Sequence, residues 1–151
     1  MAKFIYKMEN ILSIKLKLEE QAKSAFGQAK ILLDKEEEKL RLLKERKEEY
    51  EGILRGEIND VLDVREIIRC QEAIEILKYD IKIQLVAVNA AKQQVELARI
   101  KLNEAMIDRK IHEKLKETAF EEFKKEVNSE EQKEVNELVS FTYGKNQRNE
   151  D

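Results

Sequence analysis

The chain has 151 residues, with no proline, no tryptophan and four glycines. Charged residues make up 40% of it, hydrophobic residues 42% and aromatic residues 6%, too apolar for simple disorder and too charged for an ordinary globule, which leaves long helices whose apolar residues form stripes. The formal charge of −3, from 29 basic and 32 acidic residues, lacks the basic surplus that nucleic-acid binding uses.

The N-terminal stretch MAKFIYKMENILSIKLKLEEQ breaks its apolar residues with charges every few positions, so it is neither a signal peptide nor an anchor. No apolar run approaches the roughly 20 residues that span a bilayer. A first helix is predicted over about residues 3–55. Its apolar residues recur at gaps of four and three: Phe4, Met8, Ile11, Leu18, Ala22, Ala25, Ala29 and Leu32, with Lys15 the lone charge on the row. After Leu33 the row slips by one residue and runs Leu33, Leu40, Leu43, Tyr50 and Leu54. A spacing that averages 3.5 keeps one helix face on another helix, and a slip offsets the drift between 3.5 and 3.6 residues per turn.

The stretch EGILRGEINDVLD, Glu51 to Asp63, holds Gly52 and Gly56. Gly56 follows the last apolar position of the first row, where a helix C-terminal glycine belongs. Asn59 and Asp60 are turn formers, and Asp63-Val64-Arg65-Glu66 reads as a capping box with Asp in the first place. A turn is therefore expected at about 56–62, joining two antiparallel helices. The rival reading is one unbroken helix that dimerises.

The second helix is predicted over about 63–143, before a frayed tail at 144–151. Its row is Ile67, Cys70, Ile74, Leu77, Ile81, Gln84, Val88, Ala91, Val95, Ala98, Leu102 and Ala105, with Gln84 alone polar. The next positions, Arg109, His112 and Lys116, turn polar before Ala119 and Phe123. Antiparallel pairing from the turn uses up the first helix opposite residues near 115. Beyond it, Leu115, Ala119, Phe120 and Phe123 are expected to be exposed unless another protein covers them, and such a patch marks a binding site. The fold class is all-α: a single, long antiparallel two-helix coiled coil whose second helix is the longer.

Catalytic elements are missing from the sequence. The glycines match no phosphate-binding loop, and the single cysteine and single histidine have no zinc-ligand spacing. The carboxylates alternate with lysines, as on a solvated helix surface, and a two-helix rod offers no concave pocket. No enzyme activity, cofactor or metal is expected. Cys70 excludes an internal disulfide and fits a reducing compartment; it reads as a small buried seam residue, and His112 as a polar spacer. Tyr50 either packs near the turn or anchors a partner.

Four stretches carry a family resemblance. FIYKMENIL, Phe4 to Leu12, is similar to an aromatic-x-aromatic-x-apolar start, and RLLKERKEEY, ending at Tyr50, to an approach to a hairpin turn. DRKIHEKLK, Asp108 to Lys116, is similar to a basic segment with a Glu-Lys-Leu core, and EEQKEVNEL, Glu130 to Leu138, to a closing acidic segment, with Asn136 where an acid is common. In this order and over nearly the whole chain, they resemble the FliJ/YscO family of type III secretion stalk proteins. The resemblance implies a soluble component of flagellar type III export, cytoplasmic and peripherally associated with the inner-membrane export apparatus. It implies four kinds of partner: the export ATPase, whose ring it stimulates; the regulator of that ATPase; the export gate protein FlhA; and export chaperones. It implies no nucleic acid, no membrane insertion and a monomer when free. Carried over by position, the ATPase-binding residues are Phe4, Met8, Arg109, Glu113, Leu115 and Lys116. The gate-binding residues are Leu43, Tyr50, Ala73 and Leu77, with the polar Asp80 and Gln84 continuing that face. A homodimeric coiled-coil spacer and a helical holdase chaperone are the alternatives.

Overall fold

The computed structural model describes residues 2–56 and 63–150. They form two helices, α1 (Glu9–Leu54) and α2 (Val64–Glu150), of 46 and 87 residues. The helices run antiparallel and touch along a seam, an all-α helical hairpin with no strand among the described residues. One unbroken helix is excluded, because α1 stops at Leu54. Gly56 has a φ of 76°, and its N–H donates to the Ile53 carbonyl at 3.1 Å. A side chain at that φ is strained, which is why glycine ends a helix well. From residue 57 onward the expected turn, with Asn59 and Asp60, lies outside the described residues. The Asp63 carbonyl accepts the Ile67 N–H at 3.1 Å, which puts Asp63 at the position before the helix where aspartate is favoured.

Both helix ends that face away from the turn differ from expectation. α1 starts at Glu9 rather than near residue 3. Phe4, Ile5 and Tyr6 are aromatic or β-branched and lose side-chain freedom in a helix, whereas Glu9 suits the positive end of the helix dipole. The Glu9 N–H donates to the Tyr6 carbonyl at 3.2 Å, and the Met8 carbonyl accepts from Ile11 and Leu12. At the other end α2 continues to Glu150. Gly144 costs only about 1 kcal/mol relative to alanine, and Lys145, Gln147 and Arg148 are good helix formers.

The chain forms two compact units, one made of Glu20–Glu104 and the other of the chain up to Glu19 with the chain from Ala105. In the first, Cys70, Ile74, Leu77 and Val88 are buried. In the second, Leu12 is buried and so is Glu19, 5% exposed. Every position of the predicted α2 row, from Ile67 through Phe123, is buried or half-buried.

The α1 row requires correction. Ile11, Leu18 and Ala25 are exposed, and Leu32 is 58% exposed. The inward row is Leu12, Lys15, Glu19, Ala22, Phe26, Ala29 and Leu33, and it continues without a slip through Glu36, Leu40, Leu43, Lys47, Tyr50 and Leu54. Two rows that share Lys15, Ala22 and Ala29 compete in the first half of α1, and the more apolar one loses. A guanidinium at Arg109 inside the seam needs an acid opposite it, and only the row carrying Glu19 supplies one.

Glycine substitutions test these backbone assignments in opposite directions. Gly56→Ala is expected to lower the unfolding free energy by about 1 kcal/mol, since alanine is strained in the left-handed region. Gly27 lies inside α1, and a methyl group there meets nothing within 4 Å. Gly27→Ala is therefore expected to raise stability by up to about 1 kcal/mol. Urea unfolding followed by circular dichroism measures both.

Candidate functional site

In the unit that holds both chain termini, charges bridge the helices. Arg109 donates to Glu19 through Nε at 2.6 Å and through a terminal nitrogen at 3.2 Å, a forked, charge-assisted pairing. Its other terminal nitrogen reaches Glu113 at 2.9 Å. Lys15 pairs with Asp108 at 2.8 Å and Lys116 with Glu9 at 2.8 Å, while His112 Nε2 lies 3.8 Å from Asp108. The Lys15 ammonium, hydrogen-bonded to Asp108, holds that carboxyl below its usual range, with further attraction from Lys15 and His112 charge. The Arg109 guanidinium is pushed further above its ordinary value, chiefly by the bonds to Glu19 and Glu113.

The aromatic pair is not left bare. The Phe4 ring meets Phe120 edge-to-face at 5.1 Å and Phe123 at 5.4 Å. Lys124 Nζ lies 4.6 Å from the Phe120 ring centroid. Ala119 and Phe123 are half-buried, whereas Leu115 and Phe120 remain exposed, so the open end expected from the sequence is partly closed by the segment before α1. Of the six residues carried over for ATPase contact, Phe4, Arg109, Lys116 and Glu113 are thus engaged within the chain. Met8, Glu113 and Leu115 face solvent. Further along α2 every position from Asn128 to Arg148 except Gly144 is exposed, including Val135, Leu138, Val139, Phe141 and Tyr143.

In Glu20–Glu104 the residues carried over for gate contact sit on the seam rather than on an outer face. Leu43, Tyr50 and Ala73 are half-buried and Leu77 is 5% exposed. Gln84 donates to the Glu36 carbonyl at 2.8 Å and also to its carboxylate, and this bond chiefly lowers the Glu36 carboxyl. Sequence reasoning missed an outward row in the same unit. Ile76, Tyr79, Ile83 and Val86 are 52–69% exposed and recur at gaps of three, four and three. At 100° per residue they face away from Ile74, Leu77, Ile81 and Val88. The same periodicity that marks the seam marks this row.

Among the described residues no group of three or more His, Cys, Asp or Glu side chains could hold a metal ion, and no helix is long and apolar enough to cross a membrane. Compared with protein families, residues 4–148 match the model of the flagellar FliJ protein. The chain belongs to the flagellar FliJ family. It is a component of flagellar type III protein export by that membership. No curated protein sequence matches it. Among solved structures it is similar to a Chlamydia trachomatis protein, CT670, described as a homolog of YscO. The TM-score is 0.69 at 22% identity, over 97% of this chain and 99% of that one, which is a likeness of fold.

The lowered Asp108 carboxyl gives a signed pH prediction. A carboxyl depressed in the folded state contributes stability above its unfolded value of about 3.9, and the contribution is lost as the pH falls through the folded value. Wild-type chain is therefore expected to lose more stability on acidification from about pH 5 to about pH 2 than Asp108→Asn. Urea midpoints across that range decide it, and parallel pH profiles would refute the assignment.

Proposed function

We propose that this chain is the stalk and coupling component of flagellar export, binding and stimulating the export ATPase ring without hydrolysing ATP itself. The observation that carries the reading is the family match across residues 4–148. The absence of a phosphate-binding loop from the sequence is consistent with a non-enzymatic role. The ATPase contact is assigned to the unit holding both termini, through Phe4, Met8, Arg109, Glu113, Leu115 and Lys116. Met8, Glu113 and Leu115 present their side chains to the ring directly. Arg109, Lys116 and Phe4 hold the helices in the arrangement that presents them.

The gate contact, to the cytoplasmic part of FlhA, is assigned to Glu20–Glu104. There the half-buried rims of Leu43, Tyr50 and Ala73 meet the partner, and Leu77 keeps the seam beneath them packed. The chain also engages the regulator of the ATPase and export chaperones. It works as a monomer in the cytoplasm, peripherally associated with the inner-membrane export apparatus.

Phosphate release by the purified export ATPase tests the first contact. Wild-type chain is expected to stimulate it several-fold, and Met8→Asp with Leu115→Asp to abolish the stimulation while helix content stays unchanged. An ATPase indifferent to the wild-type chain would overturn the proposal. For the gate, Tyr50→Ala is expected to weaken binding to the cytoplasmic part of FlhA about tenfold, the loss of one good anchor. Leu77→Ala should act through stability instead, costing about 2–5 kcal/mol as buried leucine truncations do.

A further inference from the structure

The two units hold their helices together by different means. Among the described residues of Glu20–Glu104, the buried side chains are Cys70, Ile74, Leu77 and Val88, all apolar. In the other unit Leu12 and Glu19 are buried, and ion pairs cross from α1 to α2 among the described residues: Glu9 to Lys116, Lys15 to Asp108 and Glu19 to Arg109. We propose that this unit is a charge-operated clasp, whose two helical segments part reversibly without unfolding when the ladder weakens, releasing Phe4 from Phe120 and Phe123.

Parting the segments is feasible because, among the described residues, no backbone–backbone hydrogen bond joins α1 to α2. Opening therefore breaks only side-chain contacts. The outer pairs are open to water and ions: the side chains of Lys15 and Asp108 are 27% and 44% exposed, those of Lys116 and Glu9 39% and 54%. Their attraction is screened as the Debye length falls from about 10 Å at 0.1 M salt to about 3 Å at 1 M. Glu19 and Arg109, 7% and 19% exposed, are the latch. Forked and mostly buried, they resist screening, but removing either partner takes away the charge that faces the other across the seam. The segment before α1 is not helical, and Ile5 within it faces solvent. Phe4 is thus anchored by its ring contacts, which do not outlast separation of the helices beneath.

Spin labels report the opening. One pair goes on the exposed positions Ser13→Cys and Ile111→Cys, and a control pair on Leu42→Cys and Tyr79→Cys in the other unit, both in a Cys70→Ala chain. On raising sodium chloride from about 50 mM to about 1 M, the 13–111 distance distribution is expected to gain a longer component at least twofold in amplitude, with the 42–79 distribution unchanged. Glu19→Lys should show that component already at low salt, at full helix content. Replacing the latch with apolar side chains, Glu19→Leu with Arg109→Leu, should suppress it at high salt. A 13–111 distribution unmoved by salt and by Glu19→Lys would overturn the proposal. So would equal broadening of both pairs, loss of helix content with opening, or a leucine variant that opens as readily as wild type.

Discussion

Neither helix of this protein can bury an apolar stripe alone. An isolated helix gains little from its own hydrogen bonds in water, and most helical stability in proteins comes from covering one face. α1 and α2 cover each other, and the rest of the structure depends on that mutual seam. Its period of about 3.5 residues sets which side chains meet. Gly56 ends α1 with the one residue type that takes a φ of 76° without strain.

The seam is not uniform, and its chemistry changes at a definite place. In Glu20–Glu104 it is apolar apart from Gln84, with Glu36 and Lys47 on the α1 side. In the unit holding the termini, Glu19 and Lys15 meet Arg109 and Asp108. A buried ion pair is weak as a source of stability, because desolvation offsets most of the attraction. It is strong as a constraint on register, because any arrangement that separates the partners strands a charge. Two copies of α1 paired in parallel would set Glu19 against Glu19 and Lys15 against Lys15, whereas the hairpin sets each against its opposite. The polar part of the seam thus selects the partner more than it strengthens the contact.

This member of the FliJ family exposes several apolar stretches. The exposed C-terminal part of α2, with Phe141 and Tyr143, carries more apolar area than a solvated helix needs. The outward row of Ile76, Tyr79, Ile83 and Val86 is a second stripe on a helix that already has a seam. The residues carried over for the gate lie deeper than a contact surface usually does, with Leu43, Tyr50 and Ala73 half-buried and Leu77 buried. The residues proposed for the gate and those proposed for the ATPase fall in separate units, each with its own kind of seam.

Much of this was legible in the sequence. The α2 row could be read from Ile67 to Phe123 because its apolar residues keep one phase and flank the polar stretch on both sides. The stop at Gly56 and the start after Asp63 were legible because backbone conformation there depends on the local residue type. The α1 row was not, since Ile11, Leu18 and Leu32 compete with Leu12, Phe26 and Leu33, and hydrophobicity alone prefers the wrong set. The helical start, expected near residue 3 and found at Glu9, was missed because periodicity does not report where a cap forms. By itself, then, the sequence determined that there are two helices, that they fold back on each other, and which face of the second is covered. Only the tertiary structure decided which face of the first answers it and that Phe4 closes over Phe120 and Phe123. The reason is that a charge in a seam chooses its opposite across space, and no pattern within one helix records that choice.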